Sequence, residues 1–265
     1  MTPLSFLEKQ VAGFIEDLAK ETDAVRQSSM FKEYLDTMSR FWHYSYHNQI
    51  LIHLQNKNAS RVAGFATWNK LGRFIKKGSK AIKILAPFTK KVVKKEGDEE
   101  KEFSFTYFVP VNVFDVSQTD GKDVPKLDIE VAGDNQKWLL EKLLAFCESK
   151  SIKVEFKPLG INGLYGYSQG GKIAIDSNQS INMQANTLIH EISHELLHYS
   201  LEGKQFSKQE KETQAEAAAY VVCRALGFEN KSSNYIAFYS TTKNRILENI
   251  ETISLAAREL LSFVD

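Results

Sequence analysis

The chain has 265 residues, 43% hydrophobic and 25% charged, the make-up of a globular protein large enough to bury its core without staples. Cys147 and Cys223 are its only cysteines, far apart and in no Cys-x-x-Cys pair, which excludes a disulfide framework and points to a reducing compartment. The net charge of +1 hides an imbalance: residues 61–95 hold eleven Lys or Arg and no acidic residue, while the remainder has 23 basic against 33 acidic. One part of the chain is therefore expected to meet a polyanion.

The N-terminus lacks a basic region followed by an apolar block, and no stretch reaches the ~18 apolar residues of a membrane span. A cytoplasmic protein without a membrane partner is expected. Residues 4–20 and 30–54 are predicted helices; in the second, Phe31, Tyr34, Leu35, Met38, Phe41 and Trp42 recur at spacings of three and four. Arg61–Phe65 is a predicted short strand, Thr67–Gly72 a helical turn and Lys77-Gly78-Ser79 a turn. Residues 81–85 and 106–114 are predicted strands joined by a charged hairpin over 90–101, with Gly97-Asp98 at its tip. The polar stretch Thr119–Pro125 marks a domain boundary, giving domains 1–124 and 125–265. The second holds a predicted helix over 134–149, strands 153–156 and 172–176, turns at Gly163 and Gly170-Gly171, and helices over 183–202 (ending at Gly203), 208–226 and 232–263. The fold class is α+β, mixed rather than alternating βαβ.

The chemistry sits on the helix His190-Glu191-Ile192-Ser193-His194. Positions i and i+4 share one helix face, so His190 and His194 can aim two imidazoles at one ion, and Glu191 can reach a water that the ion activates. Catalytic zinc needs a third protein ligand and an open position. Glu212 on the next helix is the best candidate, and Glu216, one turn on, can take the second N–H of a ligating histidine. The run His190–His198 contains two overlapping HExxH frames, and spacing cannot choose between them. A chance occurrence of the motif is the competing reading; the preceding strand and the downstream Glu-x-x-Ala-Glu helix weigh against it.

Single-stranded nucleic acid is held by a positive groove and aromatic faces. Arg61, Lys70, Arg73, Lys76, Lys77, Lys80 and Lys83 lie beside Trp68 and Phe74 and fit that pattern. So does a solvated charged face over an ordinary aromatic core. The lack of acidic residues across 61–95 tips the balance toward binding.

Residues Tyr44–Ile52, Arg61–Arg73, Lys77–Pro87 and Val113–Thr119 together resemble the N-terminal domain of ArdC-type antirestriction proteins. The second half, with HEISH and Glu212-x-x-Ala-Glu216, resembles the metallopeptidase half of that family, akin to ImmA/IrrE-type zincins. The resemblance covers roughly residues 5–260. It implies a mixed α/β domain that binds single-stranded DNA, followed by a gluzincin-like domain. That domain would hold one zinc ion per chain through His190, His194 and Glu212, with Glu191 as base. It favours the first HExxH frame and implies a mobile genetic element that protects incoming DNA from restriction. The acidic insert Glu96–Glu102 departs from the pattern, so the 90–101 hairpin inherits no DNA-binding role. Strand 172–176 is expected to pair with an extended peptide substrate by edge addition, and Tyr235 to stabilise the oxyanion. A non-proteolytic single-stranded-DNA-binding accessory factor for replication or transfer, with an inert or structural zinc, is the alternative. The protein substrate is not legible.

Overall fold

The computed structural model describes residues 2–21, 24–96, 99–123, 137–161, 163–199, 206–228 and 242–265. The chain divides into two compact units, Met1–Phe14 with His47–Pro125 and Ile15–Tyr46 with Lys126–Asp265. The segment 15–46 thus groups with the C-terminal half, whereas the boundary read at 124/125 leaves it in the first domain. Its long-range partners explain the grouping. Helix α2 (Ala24–Arg40) lies against α7 (Lys208–Ala225). Asp36 there accepts from the Tyr220 hydroxyl at 2.6 Å and from Arg224 Nε at 3.2 Å.

The first unit takes the opening turns of α1 (Pro3–Lys20), whose Leu7, Val11 and Phe14 are buried, and then α3 (Tyr46–Gln55). Strands β1 (Val62–Ala63), β3 (Ile82–Glu96) and β4 (Glu99–Asp115) form an antiparallel sheet in the order β1-β4-β3. This leaves one side of β3 as a sheet edge, which helix α3 covers. Asn48 donates to Leu85 O and accepts from Leu85 N–H, each at 2.8 Å. Gln55, two turns along, does the same to Lys83 at 2.8 and 2.9 Å. Two side-chain amides thereby replace a missing strand and block edge pairing with another chain. Between β1 and β3 run the short helix α4 (Phe65–Lys70) and β2 (Arg73–Ile75), which pairs with β5 (Thr119–Gly121). Gly121 faces Arg73 across this pair at φ 128°. A Cβ there would stand 2.3 Å from Gly72 O, so only glycine fits.

Asp115, at the end of β4, is the knot of this unit. It is 2% exposed. Its carboxylate accepts from the backbone N–H groups of Ser60 (2.8 Å), Arg61 (3.0 Å) and Ser117 (3.0 Å), and it caps the 3-10 turn Val116–Gln118. Burial pushes its pKa up, but the Ser117, Ser60 and Arg61 donors outweigh burial and hold it below the ordinary 3.8. A depressed folded pKa contributes stability that is complete above the ordinary value and is lost as pH falls through the folded value. Asp115→Ala orphans three donors and is expected to cost the first unit about 3 kcal/mol. Asp115→Asn is expected to flatten its acid unfolding limb below pH 3.8. Thermal melts from pH 5 to 2 check both; an unchanged acid limb in Asp115→Asn would mean other carboxylates set it.

In the second unit, α5 (Lys137–Ser149) buries Leu139, Leu143, Phe146 and Cys147. It leads into a sheet of order β6-β8-β7, with β6 (Lys153–Lys157) parallel and β7 (Gly166–Ser168) antiparallel to β8 (Lys172–Asp176). Helices α6 (Ile181–His198), α7 and α8 (Lys243–Val264) complete it. Ser180 caps α6, its Oγ accepting from Met183 N–H. A capping box of Ser207 and Glu210 starts α7, and Glu210 also accepts from Arg245 of α8 at 2.8 Å. These caps fix the phase of α6 and α7, whose facing sides carry the site. Gly203, read as a helix end, and the start of the tail helix read from residue 232 lie outside the described residues.

Candidate functional site

Helix α6 turns Leu188, Ile189 and Ile192 into the core, and this rotation sends His190 and His194 toward α7. His190 Nε2 lies 3.1 Å from His194 Nε2. Glu212 Oε2 stands 3.7 and 3.6 Å from the same two nitrogens. Four-coordinate zinc with bonds of 2.0–2.1 Å has ligands about 3.3–3.4 Å apart, so the three atoms fit one ion. Among the described residues these three form the cluster of His, Cys, Asp or Glu side chains able to hold a metal. The electrostatics suit a cation. Burial opposes charge on His190, yet the Glu212 and Glu216 carboxylates beside it push its pKa up to about 10. The Glu212 carboxyl is held far below its ordinary range by His190 and His194.

Glu216 Oε2 lies 3.4 Å from His190 Nδ1, the ring nitrogen turned away from the cluster. Glu191 is buried and lines the same cavity as the ligands. Burial raises its carboxyl above the ordinary range, against the pull of the two imidazoles and of a hydrogen bond with Ser168. The cavity holds about 800 Å³ and is lined by the metal cluster, Glu191, Tyr167 and Ser168 of β7, and Lys211.

The second HExxH frame has a different occupation. Its acid, Glu195, accepts from Gly170 N–H at 2.9 Å and Gly171 N–H at 2.6 Å, bracing the β7–β8 turn on α6. The Tyr199 hydroxyl donates to Ser168 O at 2.6 Å. Its last histidine, His198, is 4% exposed, and burial pushes its pKa down to about 4.

Strand β7 went unread in the sequence, and its pairing with β8 overturns the expectation that strand 172–176 offers an edge to a substrate. β8 is hydrogen-bonded on both sides, to β6 and to β7, so it has no edge to offer. The edge over the cavity belongs to β7. Gly166 was its one available signal: a Cβ there would stand 2.6 Å from Thr187 Cγ2, so glycine lets the strand close on α6. Tyr235 lies outside the described residues.

The basic region of the first unit separates into two groups. Trp68 is 2% exposed and its Nε1 donates to Phe114 O at 2.9 Å, so it is a core residue and offers no stacking face. Arg73 spends its guanidinium on Thr119 Oγ1 (2.7 Å), Thr119 O and Lys122 O, locking β2 to β5. Lys76 donates to Ser117 O and lies 3.5 Å from Asp120. Lys70, Lys77, Lys80 and Lys83 are exposed and Arg61 is half-buried. Phe74 is 64% and Phe65 60% exposed, so stacking faces are present, with Phe65 an addition to the sequence reading. Phe88, Phe105 and Tyr107 also stand exposed in a row on the β3–β4 hairpin, Phe88 and Tyr107 with ring centres 5.4 Å apart.

Residues 7–114 match the family described as the N-terminal domain of anti-restriction factor ArdC. Residues 147–223 match a peptidase family of type M78, described as the IrrE N-terminal-like domain. An uncharacterized Bacillus anthracis protein is 26% identical over 275 residues, covering 88% of this chain and 47% of the relative, so the chain spans about half of that protein's length. Among solved structures, the metal-free antirestriction protein ArdC of the R388 plasmid is similar with a TM-score of 0.49 and 19% identity, over 84% of this chain and 83% of that one. Its Mn(II)-bound form gives 0.47 and 17%, over 88% and 94%.

Proposed function

We propose that this chain, whose residues 7–114 match the ArdC N-terminal family and 147–223 the IrrE N-terminal-like peptidase family, is a single-stranded-DNA-binding zinc metallopeptidase of antirestriction type, carried by a mobile genetic element and working in the cytoplasm. The observation that carries it is the convergence of His190, His194 and Glu212 beside the buried Glu191 in one cavity. Among the described residues no helix is long and apolar enough to cross a membrane.

A bound zinc ion supplies a Lewis acid and brings the pKa of water from 15.7 toward about 7. Glu191, raised by burial, takes the proton at its carboxylate and hands it to the leaving amine. The β7 edge aligns an extended peptide by backbone pairing, and Glu195 and Tyr199 hold that edge at a fixed height over the cavity. Glu212, the most exposed of the three ligands, keeps the approach open to solvent. Because both domains belong to one chain, DNA bound by the first delivers the second to proteins that act on single strands.

In the first unit, Lys70, Lys77, Lys80, Lys83 and Arg61 are the phosphate partners, and Phe74 and Phe65 the stacking faces. Single strands are expected to bind more tightly than duplex, with little sequence preference. If ~5 phosphates are neutralised, log affinity falls against log salt with a slope of about −3.5. Phe74→Ala is expected to weaken binding by about 1–3 kcal/mol at unchanged melting temperature. Trp68→Ala is expected to do the reverse, lowering the melting temperature through loss of a buried indole. A flat salt dependence, or tighter duplex binding, would sink the single-strand reading.

A further inference from the structure

A buried chain of hydrogen bonds runs from the metal cluster into the core of the second unit, and nothing in the proposed reaction uses it. His194 Nδ1 lies 3.0 Å from His198 Nδ1. His198 Nε2 lies 2.8 Å from Gln214 Oε1. The Gln214 amide Nε2 donates to Asn249 Oδ1. Three helices contribute, α6, α7 and α8, and His198, Gln214 and Asn249 are each at most 4% exposed. Direct pairing at such buried groups is the rule, and each proton in the chain needs an assigned direction.

The chemistry allows one direction that leaves a ligand at the cluster. Asn249 Oδ1 is an acceptor only, so Gln214 must turn its NH₂ toward it. Gln214 Oε1 then faces His198 and can only accept, which places the His198 proton on Nε2. A neutral imidazole with Nε2–H has a bare Nδ1. That nitrogen accepts from His194 Nδ1–H, and the lone pair of His194 is left on Nε2, the atom that faces His190 and Glu212. The opposite direction, with the Gln214 and Asn249 amides both reversed, ends with the His194 proton on Nε2 and removes the ligand.

We propose that His198, Gln214 and Asn249 form a tautomer relay that positions His194 as a metal ligand, so that the third histidine of the overlapping frames acts through its neighbour rather than on the ion. The relay rests on the metal reading above. It is the counterpart of Glu216 at His190, built from neutral amides in place of a carboxylate at the α6–α7–α8 junction, where Gln214 and Asn249 are buried and a charge would be expensive. Outer partners of metal-bound histidines are worth about 10–100-fold in metal affinity.

Long-range ¹H–¹⁵N correlation spectra of the full chain read imidazole tautomers directly. Loaded with zinc, the wild type is expected to show His194 protonated at Nδ1 and bound through Nε2, with His198 neutral and protonated at Nε2. Metal-free protein is expected to show the same His198 tautomer, which separates failure of the relay from failure of the zinc reading. Gln214→Leu removes the acceptor and is expected to weaken zinc about 10–100-fold in competition against a chromophoric chelator. Gln214→Glu loses the bond to Asn249 and some stability to its buried charge, but it keeps an acceptor oxygen toward His198, and its zinc affinity is expected to stay within a few-fold of wild type. His198 protonated at Nδ1, His194 bound through Nδ1, or equal zinc affinities for the Leu and Glu variants would overturn the relay. Should Gln214→Leu fail to fold, the wild-type spectra decide.

Discussion

His190→Ala and Glu212→Ala are each expected to leave the purified chain without stoichiometric zinc, while His198→Ala stays loaded. The reason is geometric. His190 Nε2, His194 Nε2 and Glu212 Oε2 form one triangle with edges of 3.1, 3.7 and 3.6 Å. Removing any corner leaves two ligands, too few for a zinc centre that keeps an open position for water. His198 contributes no corner, since its two ring nitrogens face His194 Nδ1 and Gln214 Oε1. Elemental analysis of dialysed protein at micromolar concentration measures loading. Chelator competition, a finer measure, is where His198→Ala should still show a weakened site. Metal retained by His190→Ala and lost from His198→Ala would move the ion to the second frame and return Glu195 to the role of base. The two N–H groups that Glu195 accepts from Gly170 and Gly171 argue against that outcome.

What the sequence revealed of this site followed from local rules. Helical spacing alone put His190 and His194 on one face and aligned Glu212 with Glu216, and the structure brings all four together. The residues it missed act over long separations. Trp68 sits among lysines and reads as a stacking platform, but its indole partner, Phe114 O, is 46 residues away. Arg73 reads as a phosphate partner, but its guanidinium closes on Thr119 and Lys122. The single helix read over 30–54 is broken into α2 and α3, because Arg258 of α8 captures the carbonyls of Trp42 and Tyr44 at the break. The hairpin shows a different failure. The charged run 90–101 reads as a connection between strands 81–85 and 106–114, whereas β3 and β4 stay paired from Ile82↔Val113 to Glu96↔Glu99. The strand read over 106–114 extends back through Phe103 and Phe105, and the rings of Phe103, Phe105 and Tyr107 are 48, 51 and 41% exposed. Periodicity reports that a face is apolar and does not report whether anything covers it.

Glu191→Gln is expected to lower peptide hydrolysis by about 10²–10⁴-fold, the usual worth of general acid–base catalysis. The substitution keeps the shape of the buried side chain and removes the group that accepts a proton. Zinc content should stay at the wild-type level, because Glu191 is no member of the ligand triangle. Affinity for single strands should stay as well, since the proposed phosphate partners and Phe74 belong to the first compact unit and Glu191 to the second. The variant therefore separates the two halves of the proposed function within one intact chain. The decisive measurement is the survival of incoming unmodified DNA in a restricting host, wild type against Glu191→Gln, with metal and DNA binding verified on the same preparations. Lost protection with both bindings intact makes proteolysis the working activity. Full protection from the variant sinks the peptidase as the agent of antirestriction and leaves a protein that shields single strands by occupying them, with zinc in a supporting role. The buried position of Glu191, its carboxyl raised by burial beside two imidazoles that could ligate a cation, favours lost protection. A buried carboxylate costs desolvation free energy, and proton transfer during hydrolysis is the use we propose for this one.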